Sequence, residues 1–80
     1  MVEVIYAPFF ETKFKKIKNE SLKERIIKQI IKIKNNPEIG KPMMHDRKGT
    51  RELYIKPYRL SYRIQDKIIY VLDIYHKNKQ

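Results

Sequence analysis

The chain has 80 residues, with 19 Lys and Arg against nine Asp and Glu, a formal charge of +10 at pH 7. A chain this short buries only roughly 60% of its unfolded surface, so a single domain over residues 1–80 is expected, and the absence of cysteine excludes disulfides and thiolate metal sites and suits a reducing compartment. The apolar run from Val2 to Ala7 lacks a basic leader, and no stretch approaches the ~20 apolar residues of a membrane span, so the expectation is a soluble cytoplasmic protein with no membrane partner.

Val2 to Tyr6 reads as a short strand, rich in β-branched and aromatic residues. Pro8 suits the first position of a helix, where its missing N–H costs nothing, and Phe10, Phe14 and Ile17 repeat at helical spacing to about Lys18. Asn19-Glu20 interrupts the pattern. Ser21 and Glu24 then have the spacing of a capping box, which predicts a second helix carrying Leu22, Ile26, Ile27, Ile30, Ile31 and Ile33 and ending near Asn35, before Pro37. Lys23, Arg25, Lys28 and Lys32 fill its other face, most simply as a solvated surface. The short link predicts a helical hairpin.

Glu38 to Thr50 has no period and reads as a loop. Arg51 to Lys56 alternates, with Leu53 and Ile55 on one face and Glu52, Tyr54 and Lys56 on the other. After a turn at Lys56-Pro57, Tyr58, Leu60, Tyr62 and Ile64 alternate with Arg59, Ser61 and Arg63. Gln65-Asp66-Lys67 turns the chain again, and Ile68 to Tyr75 is apolar at nearly every position, as in a strand covered on both faces. The order β-α-α-β-β-β predicts an α+β fold, a mainly antiparallel four-stranded sheet packed against a helical hairpin.

The positive field calls for a polyanion, and nucleic acid is the first candidate. Much of the Lys excess has a bland explanation in an AT-rich genome. Arg51, Arg59 and Arg63 are more informative, because they fall in one short stretch and a guanidinium fork matches phosphate oxygens better than an ammonium does. His45-Asp46 is a poor metal signal: the other histidine is His76, far along the chain, and no metal site is expected.

Gly40-Lys41-Pro42, Gly49-Thr50-Arg51-Glu52-Leu53-Tyr54-Ile55, Tyr58-Arg59-Leu60-Ser61-Tyr62-Arg63-Ile64 and Ile74-Tyr75-His76-Lys77 resemble, in order and spacing, motifs of the RelE/ParE toxin superfamily. The resemblance implies a toxin of a type II toxin–antitoxin system, neutralised by a cognate antitoxin. RelE-type members are ribosome-dependent mRNA endonucleases, and ParE-type members inhibit DNA gyrase. The leading expectation is the endonuclease, with ribosome and mRNA as partners. The alternatives are gyrase inhibition and a non-catalytic basic nucleic-acid-binding module.

Cleavage of RNA without metal or other cofactor requires a base for the 2′-hydroxyl proton, cations on the phosphorane-like transition state and a proton donor for the leaving 5′-oxygen. The family's catalytic arginine lies in the Tyr-Arg-Leu strand, which maps its role onto Arg59, and a terminal basic or imidazole group maps onto His76 or Lys77. Lys56 and Arg63 complete the expected catalytic set, while Arg51, Tyr54 and Lys77 are expected to bind RNA. The structural alternatives are cross-strand ion pairs of Arg59 and Arg63 with Glu52 or Asp73, a solvated His76, and core packing for Tyr58 and Tyr62.

Overall fold

In the computed structural model, residues 2–43 and 49–76 are described. Strand β1 (Glu3–Tyr6) leads into helices α1 (Pro8–Lys16) and α2 (Glu20–Asn35), then a single 3₁₀ turn (Pro37–Ile39), β2 (Lys41–Pro42), β3 (Arg51–Ile55), β4 (Tyr58–Gln65) and β5 (Ile68–His76). The sheet order is β1-β5-β4-β3-β2, with β1 parallel to β5 and the other pairings antiparallel. The expected α+β architecture is present with one strand more than predicted. Lys41 and Pro42 pair with Glu52 and Arg51 at the outer edge of β3. Two residues are too few to show a period, and the missing N–H of Pro42 is tolerated on an edge.

Helix α1 begins with Pro8 in its first turn, as the sequence predicts, and ends at Lys16, slightly earlier. The cap of α2 differs from expectation. The side-chain oxygen of Asn19, not the Ser21 hydroxyl, accepts the Leu22 N–H at 3.1 Å, because the helix starts at Glu20. Replacing Asn19 with alanine should therefore cost about 1 kcal/mol, while Ser21→Ala should change stability by less than about 0.5 kcal/mol. Urea melts of the two variants separate the assignments.

The core forms between the helices and one face of the sheet. Phe10, Leu22, Ile26, Ile30 and Ile33 meet Ile55, Leu60, Tyr62, Ile69, Val71 and Ile74. Each fully buried isoleucine contributes about 2 kcal/mol of transfer free energy. The apolar face predicted for α2 is divided: Ile27 and Ile31 are 48% and 52% exposed, so a second apolar strip is left on the helix exterior. Strand β5 runs between β1 and β4, which is why nearly all its positions are apolar. Asp66 takes a positive φ of 57° in the β4–β5 turn, a conformation that Asp tolerates better than most residues. Among the described residues no helix is long and apolar enough to cross a membrane.

The 3₁₀ turn and β2 are tied to the sheet through Tyr62. Its hydroxyl donates to the Pro37 carbonyl at 2.5 Å and accepts the Gly40 N–H at 2.9 Å. Arg51 secures the same segment by donating to the carbonyls of Gly40 at 2.7 Å and Glu38 at 3.2 Å. Burial raises the Tyr62 pKa above the ordinary 10.0, outweighing the Gly40 hydrogen bond and the nearby Arg51 charge, which lower it. Because the folded value lies above the unfolded one, this contribution to stability is complete below about pH 10 and is lost as pH rises beyond it. Unfolding midpoints at about pH 9 and about pH 11 should fall more steeply in the wild type than in Tyr62→Phe.

Candidate nucleic-acid interface

Alternation along β4 puts Leu60 and Tyr62 in the core and turns Arg59, Ser61 and Arg63 to the face away from the helices. Arg59 stands between Tyr54 on β3 and Tyr75 on β5, its cross-strand neighbours. Its Nη1 donates to Glu52 Oε1 at 3.2 Å, and its guanidinium carbon lies 5.8 Å from the Tyr54 ring centroid. The Glu52 side chain is only 3% exposed, whereas that of Arg59 is 30% exposed. The Arg59 Nε is enclosed and makes no hydrogen bond among the described residues. A carboxylate below and an aromatic ring beside the guanidinium therefore fix its plane while part of the fork still meets solvent.

Glu52, Ser61 and Asp73 form one cross-strand row. Asp73 borders the irregularity in the β4–β5 register next to Ser61 and Tyr62, and its carboxylate pairs with Lys13 of α1 at 2.9 Å. Of the two ion pairs weighed from the sequence, the Arg59–Glu52 pair is present, while Asp73 is held by the helix.

Arg63 shares the face of Arg59 four residues further along β4, about 13 Å away at ordinary strand rise. It lies over Tyr70, 5.4 Å from the ring centroid, and donates to Gln65 at 3.1 Å. Arg51 has the opposite parity, with Leu53 and Ile55, and its fork is directed to the carbonyls of Glu38 and Gly40. Tyr54 is exposed and Tyr62 is buried, as their parities predict. Lys56 lies in the β3–β4 turn, where its carbonyl accepts from Arg25 Nη2 at 3.0 Å.

His76 ends β5 opposite Tyr58, with the rings edge to face at 5.5 Å. Tyr58 has the parity of Leu60, so the register sets His76 toward the helix side while Arg59 faces away. Arg59 and His76 thus share one end of the sheet but not one face. Lys77 and the His45-Asp46 pair lie outside the described residues. Among the described residues, no three His, Cys, Asp or Glu side chains gather as a metal site.

The model of the ParE toxin of type II toxin–antitoxin systems matches residues 4–80. The chain belongs to the ParE toxin family. Its fold is also that of solved toxins. The YoeB/ParE toxin from Agrobacterium tumefaciens superposes with a TM-score of 0.85 at 15% identity, over 94% of this chain and 98% of that one. The isolated E. coli RelE toxin gives 0.82 at 15% identity, over 100% and 88%. A chain of the chromosomal ParDE system from P. aeruginosa gives 0.78 at 17%, over 95% and 96%. No curated protein matches the sequence.

Within this toxin fold, sequence reasoning underweighted Glu52, which it treated only as an alternative partner for Arg59. Its alternation with Leu53 and Ile55 places it on the face away from them, yet it is among the most buried charged groups described. A carboxylate seven residues before an arginine, across a tight turn, was the available signal. Reading it required the β3–β4 register, which pairs Tyr54 with Arg59 and sets Glu52 one step beyond.

Proposed function

We propose that this toxin acts in the cytoplasm on RNA, as a metal-independent endoribonuclease that cleaves ribosome-bound mRNA and stops translation. The observation that supports this reading is Arg59, oriented by Glu52 and flanked by the exposed ring of Tyr54. The solvent-facing part of the guanidinium would take the non-bridging oxygens of the scissile phosphate, where charge grows in the transition state. Tyr54 would stack on an adjacent base, and Arg63 would hold a more distant phosphate on the same face. Lys56 and His76 stand at the same end of the sheet as Arg59, and Lys77 follows His76 in the chain. These three are the proposed proton-transfer and leaving-group partners, with Arg51 at the margin of the RNA surface.

A cognate antitoxin would restrain the activity. The exposed Ile27 and Ile31, beside a groove lined by Tyr6, Phe10, Phe14 and Ile30, offer an amphipathic segment an apolar seat on the helices. A second reading, inhibition of DNA gyrase, is favoured by two observations. The matching family model is that of the ParE toxin, and Arg59 already has an anionic partner in Glu52. Induction without antitoxin, followed by mapping of mRNA 5′ ends, decides between them. New ends within translated regions are expected early after induction. Intact transcripts together with gyrase cleavage complexes would replace the first reading with the second.

A further inference from the structure

A concavity lies on the helix side of the sheet, away from the Arg59 guanidinium. A cleft of about 670 Å³ opens where the α1–α2 junction meets the β3–β4 turn and the end of β5. Lys13, Lys16, Lys18 and Arg25 border it, and Pro57, Tyr58 and the end of β5, including His76 of the proposed proton-transfer set, line it from the sheet. Lys13 is committed to Asp73 and Arg25 to the Lys56 carbonyl. Lys16 and Lys18 are exposed and form no ion pair or hydrogen bond among the described residues. Asn19 and Leu22, in the first turn of the 16-residue α2, also line the cleft, so the positive end of the helix dipole adds to the side-chain charge.

We propose that this cleft is a second anion site, which takes the phosphodiester backbone of a single-stranded nucleic acid. Three cations without a carboxylate partner among the described residues, Lys16, Lys18 and Arg25, and a helix N-terminus lie around one concavity, while Lys13 and Asp73 neutralise each other. A bare protein surface would disperse such charge, since like charges gathered round a concavity repel one another. The low-dielectric walls of the cleft focus the field on whatever enters, and the ring of Tyr58 offers a base an apolar surface. An extended strand suits a trough of this size better than a duplex. Pro57 lines the cleft while Arg59 lies two residues away on the opposite face, so a strand leaving the cleft round the β3–β4 turn comes directly to the guanidinium. The site goes beyond the cleavage reading and does not require turnover.

Binding of a fluorescein-labelled single-stranded 2′-O-methyl oligonucleotide, which has no 2′-hydroxyl to react, tests the site apart from cleavage. Lys16→Ala/Lys18→Ala should weaken binding roughly ten-fold near physiological salt and lower the slope of log K against log salt by about 1.4, the loss of two phosphate contacts on a single strand. Lys28→Ala/Lys32→Ala removes the same charge from exposed positions of α2 that do not line the cleft and should leave the slope nearly unchanged. Equal effects of the two pairs would overturn the proposal, since binding would then follow net charge alone. So would loss of poly-glutamate binding by the Lys16/Lys18 pair with the oligonucleotide unaffected, which would assign the cleft to an acidic peptide. A parallel titration with the DNA oligonucleotide of the same sequence identifies which backbone it prefers. Arg59→Lys should retain cleft binding whether or not the chain cleaves RNA, so the two readings fail separately.

Discussion

Arg59→Lys will fold normally and lose about 10²- to 10³-fold of mRNA cleavage, the effect of removing one donor to a developing oxyanion. Lysine keeps a positive charge beside Glu52, so the buried carboxylate still faces a cation. It loses the planar fork, and with it the ability to face Glu52 and a phosphate at once. Arg59→Ala is a different experiment. It takes the guanidinium away from a carboxylate whose side chain is only 3% exposed. The expected loss is roughly 3 kcal/mol of stability, and restoring it by adding Glu52→Gln would show that charge burial, not packing, was responsible. Measuring cleavage and urea unfolding on all three variants separates function from folding. If Arg59→Lys cleaves at the wild-type rate, the guanidinium is a structural partner of Glu52 and the catalytic reading fails. Wild-type toxicity without any cleavage would point to gyrase.

Much of the fold could be read from spacing because its elements have long, consistent periods. Tyr58 to Ile64 alternates, Leu22 to Ile33 follows a helix, and the unbroken apolar run of β5 signals a central strand. These patterns are local and repeat often enough to dominate isolated exceptions. Lys41-Pro42 escaped because two residues carry no period, and the α2 cap because Asn19 and Ser21 lie two positions apart. The site was harder to read for a different reason. Arg59, His76 and Tyr58 were each on plausible strands, but the face of His76 depends on the β4–β5 register, which shifts between Ser61 and Tyr62. A one-residue irregularity reverses parity beyond it, and no composition signal marked its position. The cleft was invisible for the same reason: Lys16, Lys18, Arg25 and Tyr58 come from α1, the α1–α2 link, α2 and β4, which only tertiary packing brings together around it.

Gly40→Ala should lower stability by about 2–4 kcal/mol, although nothing in the backbone conformation demands glycine there. Gly40 has φ −75° and ψ 153°, an extended geometry open to any residue. Space is the constraint. A Cβ on Gly40 would stand 2.6 Å from the Tyr62 hydroxyl oxygen and 2.7 Å from Cε1, and the tyrosine has no room to withdraw because it is fully buried. Moving the ring would also break the bonds from Gly40 N–H and to the Pro37 carbonyl, leaving buried polar groups to be satisfied elsewhere. For a domain of this size the predicted loss lowers the Tm by roughly 10–20 °C. Gly49→Ala provides the contrast: φ is 96° and, chain neighbours aside, no atom of the described residues lies within 4 Å of the added Cβ, so its cost is backbone strain of about 1–2 kcal/mol. Tyr62→Leu should separate the mechanisms. In that background Gly40→Ala should lose most of its effect while Gly49→Ala keeps its own, a non-additivity that only a direct Gly40–Tyr62 contact produces. Additive losses at Gly40 would mean that the segment yields at the backbone. The tie between Pro37, Gly40 and Tyr62 would then not fix the edge strand beside β3, and with it the placement of Glu52 and Tyr54 next to Arg59.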